Sequence, residues 1–170
     1  MFYTYSMNLG EALSTFFRDL AAALGFIAII EVSLVAGDVT IAEGSVQVDV
    51  LVQEGLTEDL RRLIESSNPV TVRYRAVLYF GTTGRSEIAA AKTIHYDGLG
   101  DRYLVLDAGA ERRYNELEPA VADLFLFAIE ESIDDPRLLL VDAELEVPDV
   151  EQVFVDRLWG SPGPSLRHRF

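Results

Sequence analysis

Between Ser45 and Gln53 the chain reads SVQVDVLVQ: Val46, Val48, Val50 and Val52 alternate with Gln47, Asp49 and Gln53. A period of two puts the valines on one face of an extended strand and the polar residues on the other, which predicts a half-buried β-strand. The pattern recurs from Val70 to Phe80, where Val70, Val72, Tyr74, Ala76, Leu78 and Phe80 share a face. It recurs again where Leu139, Val141, Ala143, Leu145 and Val147 oppose Asp142, Glu144 and Glu146. The run FIAIIEVSLVA, from Phe26, predicts an earlier strand, and Glu43-Gly44 supplies the turn into the valine strand. SEIAAAKTIHY and RYLVLDA predict two further strands joined by DGLGD, whose glycines suit positive φ. The closing SLRHRF predicts an edge strand, reached through VEQVFVDRLW, a short helix or turn, and the proline-bearing connector GSPGP.

Helical periods interrupt this pattern in three places. Leu9, Ala12, Leu13, Phe16, Phe17, Leu20 and Leu24 recur at helical spacing, with Asn8 as N-cap, Glu11 completing a capping box and Gly25 at the stop. Leu60, Leu63 and Ile64 form the stripe of a short helix capped by Thr57 and ended by Asn68-Pro69. NELEPAVADLFLFAIEESI, from Asn115, predicts a long helix with Val121, Leu124, Phe125, Ala128 and Ile129 inward. Leu126 and Phe127 make it apolar nearly all round, so it needs cover on more than one side.

The expected architecture is therefore α+β. A single curved antiparallel sheet of about six to eight strands carries one long apolar helix packed on it, plus the N-terminal amphipathic helix and a short helix between strands. Residues 1–25 form the amphipathic helix and residues 26–170 a single β-rich domain.

Charge narrows the partners. The 28 acidic and 14 basic residues give a net charge of −14, which repels a phosphate backbone, so nucleic acid is not expected. The chain has no cysteine, which removes disulfides, thiolate metal sites and thiol nucleophiles. The apolar run Leu20–Ile30 is shorter than the roughly 20 residues a bilayer span needs. Arg18 is the first basic residue, a poor match to the start of a secretory signal. For the N-terminal helix three readings stay open: packing or partner contact through Leu9, Leu13, Phe16, Phe17 and Leu20, a remnant of a targeting segment, or proximity to a membrane surface.

Chemistry is sparse. His95 lies on the strand face opposite Ile94 and Tyr96 without a visible orienting partner, and DGLGD leads into a strand rather than a phosphate-binding helix. Glu130, Glu131, Asp134 and Asp135 are the most metal-like group, yet no calcium-loop spacing accompanies them, and a solvated loop explains them. Trp159 reads as a packing anchor, and Arg167, His168 and Arg169 as a basic surface tail. Walker, HExxH, GxSxG and dinucleotide fingerprints are lacking. No catalytic, cofactor or metal residue is assigned.

The order GSVQVDVLVQEGLTEDLRRLIESSNPVTVRYRAVLYF, KTIHYDGLGDRYLVL, helix, LLLVDAELEV and a late tryptophan resembles the bacterial family known as domain of unknown function 4390. The likeness spans about residues 39 to 170, and its markers are the pair Tyr96-Asp97 before a turn and Tyr103 in the following strand. It implies a β-rich, envelope-associated domain with no known activity. Three functions follow, in order of expectation. The first is a noncatalytic binding or accessory module with a protein partner, taken up through strand addition at an exposed edge. The second is a carrier of an apolar ligand lined by Tyr74, Tyr79, Phe80, Phe125 and Phe127. The third is a carboxylate-based hydrolase.

Overall fold

The computed structural model describes residues 32–170; the amphipathic helix expected over residues 1–25, with Leu9, Leu13, Phe16, Phe17 and Leu20, lies outside them. Nine strands and three short helices follow in the order β1 (Ser33–Ala42), β2 (Ser45–Gln53), α1 (Glu58–Glu65), β3 (Val70–Phe80), β4 (Gly84–Asp97), β5 (Arg102–Asp107), β6 (Ala110–Tyr114), α2 (Leu117–Leu124), β7 (Leu126–Glu131), β8 (Pro136–Glu146), α3 (Gln152–Trp159) and β9 (Ser165–Arg169). They build two sheets, one of three strands in the order β1-β2-β7 and one of six in the order β6-β5-β4-β3-β8-β9. Every pairing is antiparallel.

This corrects the expected architecture: among the described residues there are two sheets instead of one, and no long helix packs on either. The segment predicted as the long helix divides. Leu117–Leu124 is helical, Phe125 caps it, and Leu126–Glu131 extends as β7 against β2, with Ile129 opposite Val48 and Phe127 opposite Val50. The cause is non-local. A continuous apolar run satisfies both the helical and the strand period, and pairing with a distant valine strand decides between them. The need for cover on several sides is met by a strand buried within the protein, not by a helix lying across it.

The alternating segments extend as their periods require. Val46, Val48 and Val50 of β2 are fully buried, as are Val70, Val72, Tyr74, Ala76 and Leu78 of β3 and Leu139 and Val141 of β8. The two sheets face each other through these residues, and Phe127 of β7 stacks on Tyr74 of β3 with ring centroids 4.9 Å apart. Cover over the large sheet's inner face is divided. The small sheet lies over the half containing β3, β8 and β9, with β1 coming alongside β9, while α1 packs on β4 and α2 on β4, β5 and β6. Thr57 caps α1 by accepting a hydrogen bond from the Leu60 amide at 3.2 Å. Trp159, at the end of α3, donates its indole N–H to the Ala143 carbonyl at 3.0 Å and packs against Phe125. Gly163 lies so close to β8 that a Cβ there would run into the Ala143 carbonyl.

Candidate functional site

The aromatics proposed as ligand lining do not share one surface. Tyr74 and Phe127 occupy each other, Phe125 leans on Trp159, and Phe80 is half-buried at the end of β3. Tyr79, one residue out of phase, points to the opposite face of the sheet and is exposed. Two surface grooves of about 450 and 560 Å³ share Arg73, Glu144, Pro162 and Gly163, and the second is lined as well by Tyr74 and by Ala89, Ala90 and Ala91. Within them Arg73 is already bound to Glu146 at 2.6 Å.

The loop DGLGD is a hairpin turn. The Asp97 carboxylate accepts the amides of Leu99 and Gly100, at 3.1 and 3.2 Å, and Tyr96 donates its hydroxyl to Asp101. His95 sits opposite Leu104 on the outward face. In the acidic cluster Glu131 accepts from Ser86, Asp135 pairs with Arg137, and Glu130 lies across from Gln47. Among the described residues no group of three or more metal-ligating side chains converges.

One titratable cluster was missed. Lys92, the chain's sole lysine, is 6% exposed on the inner face of β4, and Asp123, near the end of α2, is 8% exposed. The Lys92 ammonium donates to the Asp123 carbonyl at 2.8 Å and to its carboxylate at 3.1 Å, and lies 3.5 Å from Asp107 of β5. Arg112 of β6 bridges Asp107 and Asp123, and the Tyr114 hydroxyl donates to the second Asp123 oxygen at 2.9 Å. Burial alone would raise the Asp123 carboxyl. The bonds from Lys92 and Tyr114 and the charges of Lys92 and Arg112 outweigh burial and hold it below the usual carboxylate range. Two carboxylates thus meet two cations and no charge is left over. Such a group fixes geometry, whereas acid–base work requires a proton poised to move. Alternation carried the signal: Lys92 is in phase with Ile94, an inward position where a cation demands a partner.

Strand edges are the remaining places where backbone groups seek partners. β6 and β9, the rims of the large sheet, are five residues long and carry Glu111, Arg112, Arg113, Arg167 and Arg169. Short, charged edges resist pairing. β1 differs. Beyond an irregularity at Gly37 and Asp38 it continues as Val39-Thr40-Ile41-Ala42, uncharged and exposed throughout, with Val39 at 37% and Ile41 at 54% exposure. The two-residue turn Glu43-Gly44, with Gly44 at φ +78°, follows the pair Ala42–Ser45. Such a closing pair is hydrogen-bonded, so alternation turns Thr40 toward β2 and leaves the N–H and C=O of Val39 and Ile41 facing outward.

Comparison with protein-family models, with curated proteins and with solved structures finds no match.

Proposed function

We propose that this chain is a noncatalytic binding module that takes up an extended segment of a partner protein as an added strand on β1. The carrying observation is the contrast between β1 and the rims of the large sheet: β1 presents an uncharged, β-branched, exposed run, whereas those rims are short and charged. The neutralised Lys92 network and the mutual packing of Tyr74 and Phe127 favour this over a hydrolase or an apolar carrier. A bacterial-envelope location is part of the same proposal and rests solely on the sequence resemblance to the domain of unknown function 4390 family.

The experiment is capture from envelope and soluble fractions of the native host, followed by hydrogen exchange of the recovered complex. Val39 and Ile41 amides exchange quickly in the free chain and become protected in the complex. Ile41→Pro removes an outward donor without removing a bond to β2, so it abolishes capture while circular dichroism stays unchanged. A complex that protects other amides and leaves these two exchanging overturns the proposal, as does capture that survives Ile41→Pro.

A further inference from the structure

We infer that the segment received by β1 alternates aliphatic with basic side chains. The inference rests on the reading of β1 as a docking edge and names the chemistry of its occupant. Charge is segregated between the two sheets. The small sheet and its turn carry Asp38, Glu43, Asp49, Glu130 and Glu131 and not one lysine or arginine. Every basic residue among those described belongs to the six-stranded sheet or to α1 and α3.

The acids elsewhere are often engaged: Asp107, Asp123, Glu118 and Glu146 all pair with Lys or Arg. Asp38, Glu43, Asp49 and Glu130 form no ion pair among the described residues, although the chain contains 14 basic ones. These carboxylates therefore have no directly paired cation of their own around the rim where an incoming strand would lie.

Register sets the two faces of the occupant. Val39 and Ile41 pair with Val48 and Val46, which face the core, so an added strand places alternate residues beside exposed aliphatic side chains. Its remaining residues fall on the other face, where Thr40, Gln47 and Glu130 form one row and Asp49 lies near. Cations fit there, and Asp38 and Glu43 flank the two ends of the run. The turn at one end and the irregularity at the other limit the pairing to about four residues, roughly 13 Å of strand. A second copy of β1 is a poor occupant, because it would bring Asp38 and Glu43 against their own kind and add another chain of charge −14.

The test uses three blocked peptides of roughly ten residues, alternating valine with lysine, with glutamate or with threonine. Binding is followed by calorimetry, and hydrogen exchange reports Val39 and Ile41. The lysine peptide binds and protects both amides. It weakens on the order of 10-fold or more when salt rises from about 0.01 to about 0.1 M, as the Debye length falls from roughly 30 to 10 Å. The triple variant Asp38→Asn, Glu43→Gln, Asp49→Asn weakens it similarly at low salt. The glutamate peptide does not bind. Equal, salt-independent protection by all three peptides would overturn the charge inference and leave strand addition standing. Absence of protection with any peptide removes both, as does lysine-peptide binding that persists in Ile41→Pro.

Discussion

The large sheet's inner face is closed in two ways, and the difference separates what merely fills space from what fixes position. Over β3 and β8 the cover is another sheet, and the contact is hydrocarbon and ring: Val46, Val48, Val50 and Phe127 against Tyr74, Ala76 and Val141. Over β4, β5 and β6 the cover is helical, and near the end of α2 the contact turns ionic, with Lys92 held by Asp123 and Asp107, and Arg112 closing the group from β6. Apolar contact is strong but indifferent to small displacements; a buried ion pair is close to neutral in net stability yet intolerant of a missing partner. Lys92 also meets the Asp123 carbonyl at the helix C-terminus, where carbonyls lack intrahelical partners and a cation complements the dipole. The ionic corner thus sets where a short helix, too short to persist alone, ends on the sheet.

The largest effects test this contrast directly. Phe127→Ala removes the ring stacked on Tyr74 and is expected to cost about 3–5 kcal/mol, read from urea unfolding midpoints. Asp123→Ala should cost a similar amount, about 3–5 kcal/mol, because Lys92 and Arg112 are left to share Asp107 and one cation loses its counter-charge. The two losses differ in how they are repaired. Combining Lys92→Met with Asp123→Leu should recover most of the second loss, since an apolar pair of similar volume replaces both charges. If the double variant is as unstable as Asp123→Ala, the corner contributes more than charge balance and the contrast fails.

A smaller change probes a buried polar bond inside the strand-covered half. The Tyr74 hydroxyl donates to the Leu124 carbonyl at 2.9 Å, tying β3 to the last residue of α2. Tyr74→Phe keeps the ring and its stacking and strands that carbonyl, for an expected cost of about 1–2 kcal/mol. A loss as large as that of Phe127→Ala would mean that hydrogen bonding, rather than ring packing, secures this half.

Legibility in the sequence followed the same division. Strands with one wet face were readable, because a shift of one residue would have buried Gln47, Asp49, Glu144 and Glu146. The cap of α1 was readable from Thr57, since capping is local. The change from α2 to β7 was hidden, because Leu124 to Ile129 is apolar at both periods and its pairing with β2 depends on residues far back in the chain. The ionic corner was half readable. The phase of Lys92 pointed it inward, but Asp107, Arg112, Tyr114 and Asp123 meet it only once three strand registers and one helix are set. Tyr79 was grouped with Tyr74 by residue type, although its own strand's alternation puts them on opposite faces.

The finest separation between the halves comes from pH. Asp123 is held below its ordinary carboxylate range, so the stability it contributes is present above the unfolded value of about 3.9 and is lost as pH falls through the lower folded value. Burial pushes the Tyr74 hydroxyl up, so its contribution is present below the ordinary value of about 10 and is lost as pH rises toward the folded one. The acid limb therefore belongs in part to the helix-covered half and the alkaline limb in part to the strand-covered half. Thermal midpoints measured across both limbs should show a flatter acid limb in the Lys92→Met, Asp123→Leu variant, and in Tyr74→Phe a flatter alkaline limb with its acid limb unchanged. Were each variant to flatten both limbs equally, the two halves would titrate as one unit, and the division between hydrocarbon closure and ionic closure would lose its physical meaning.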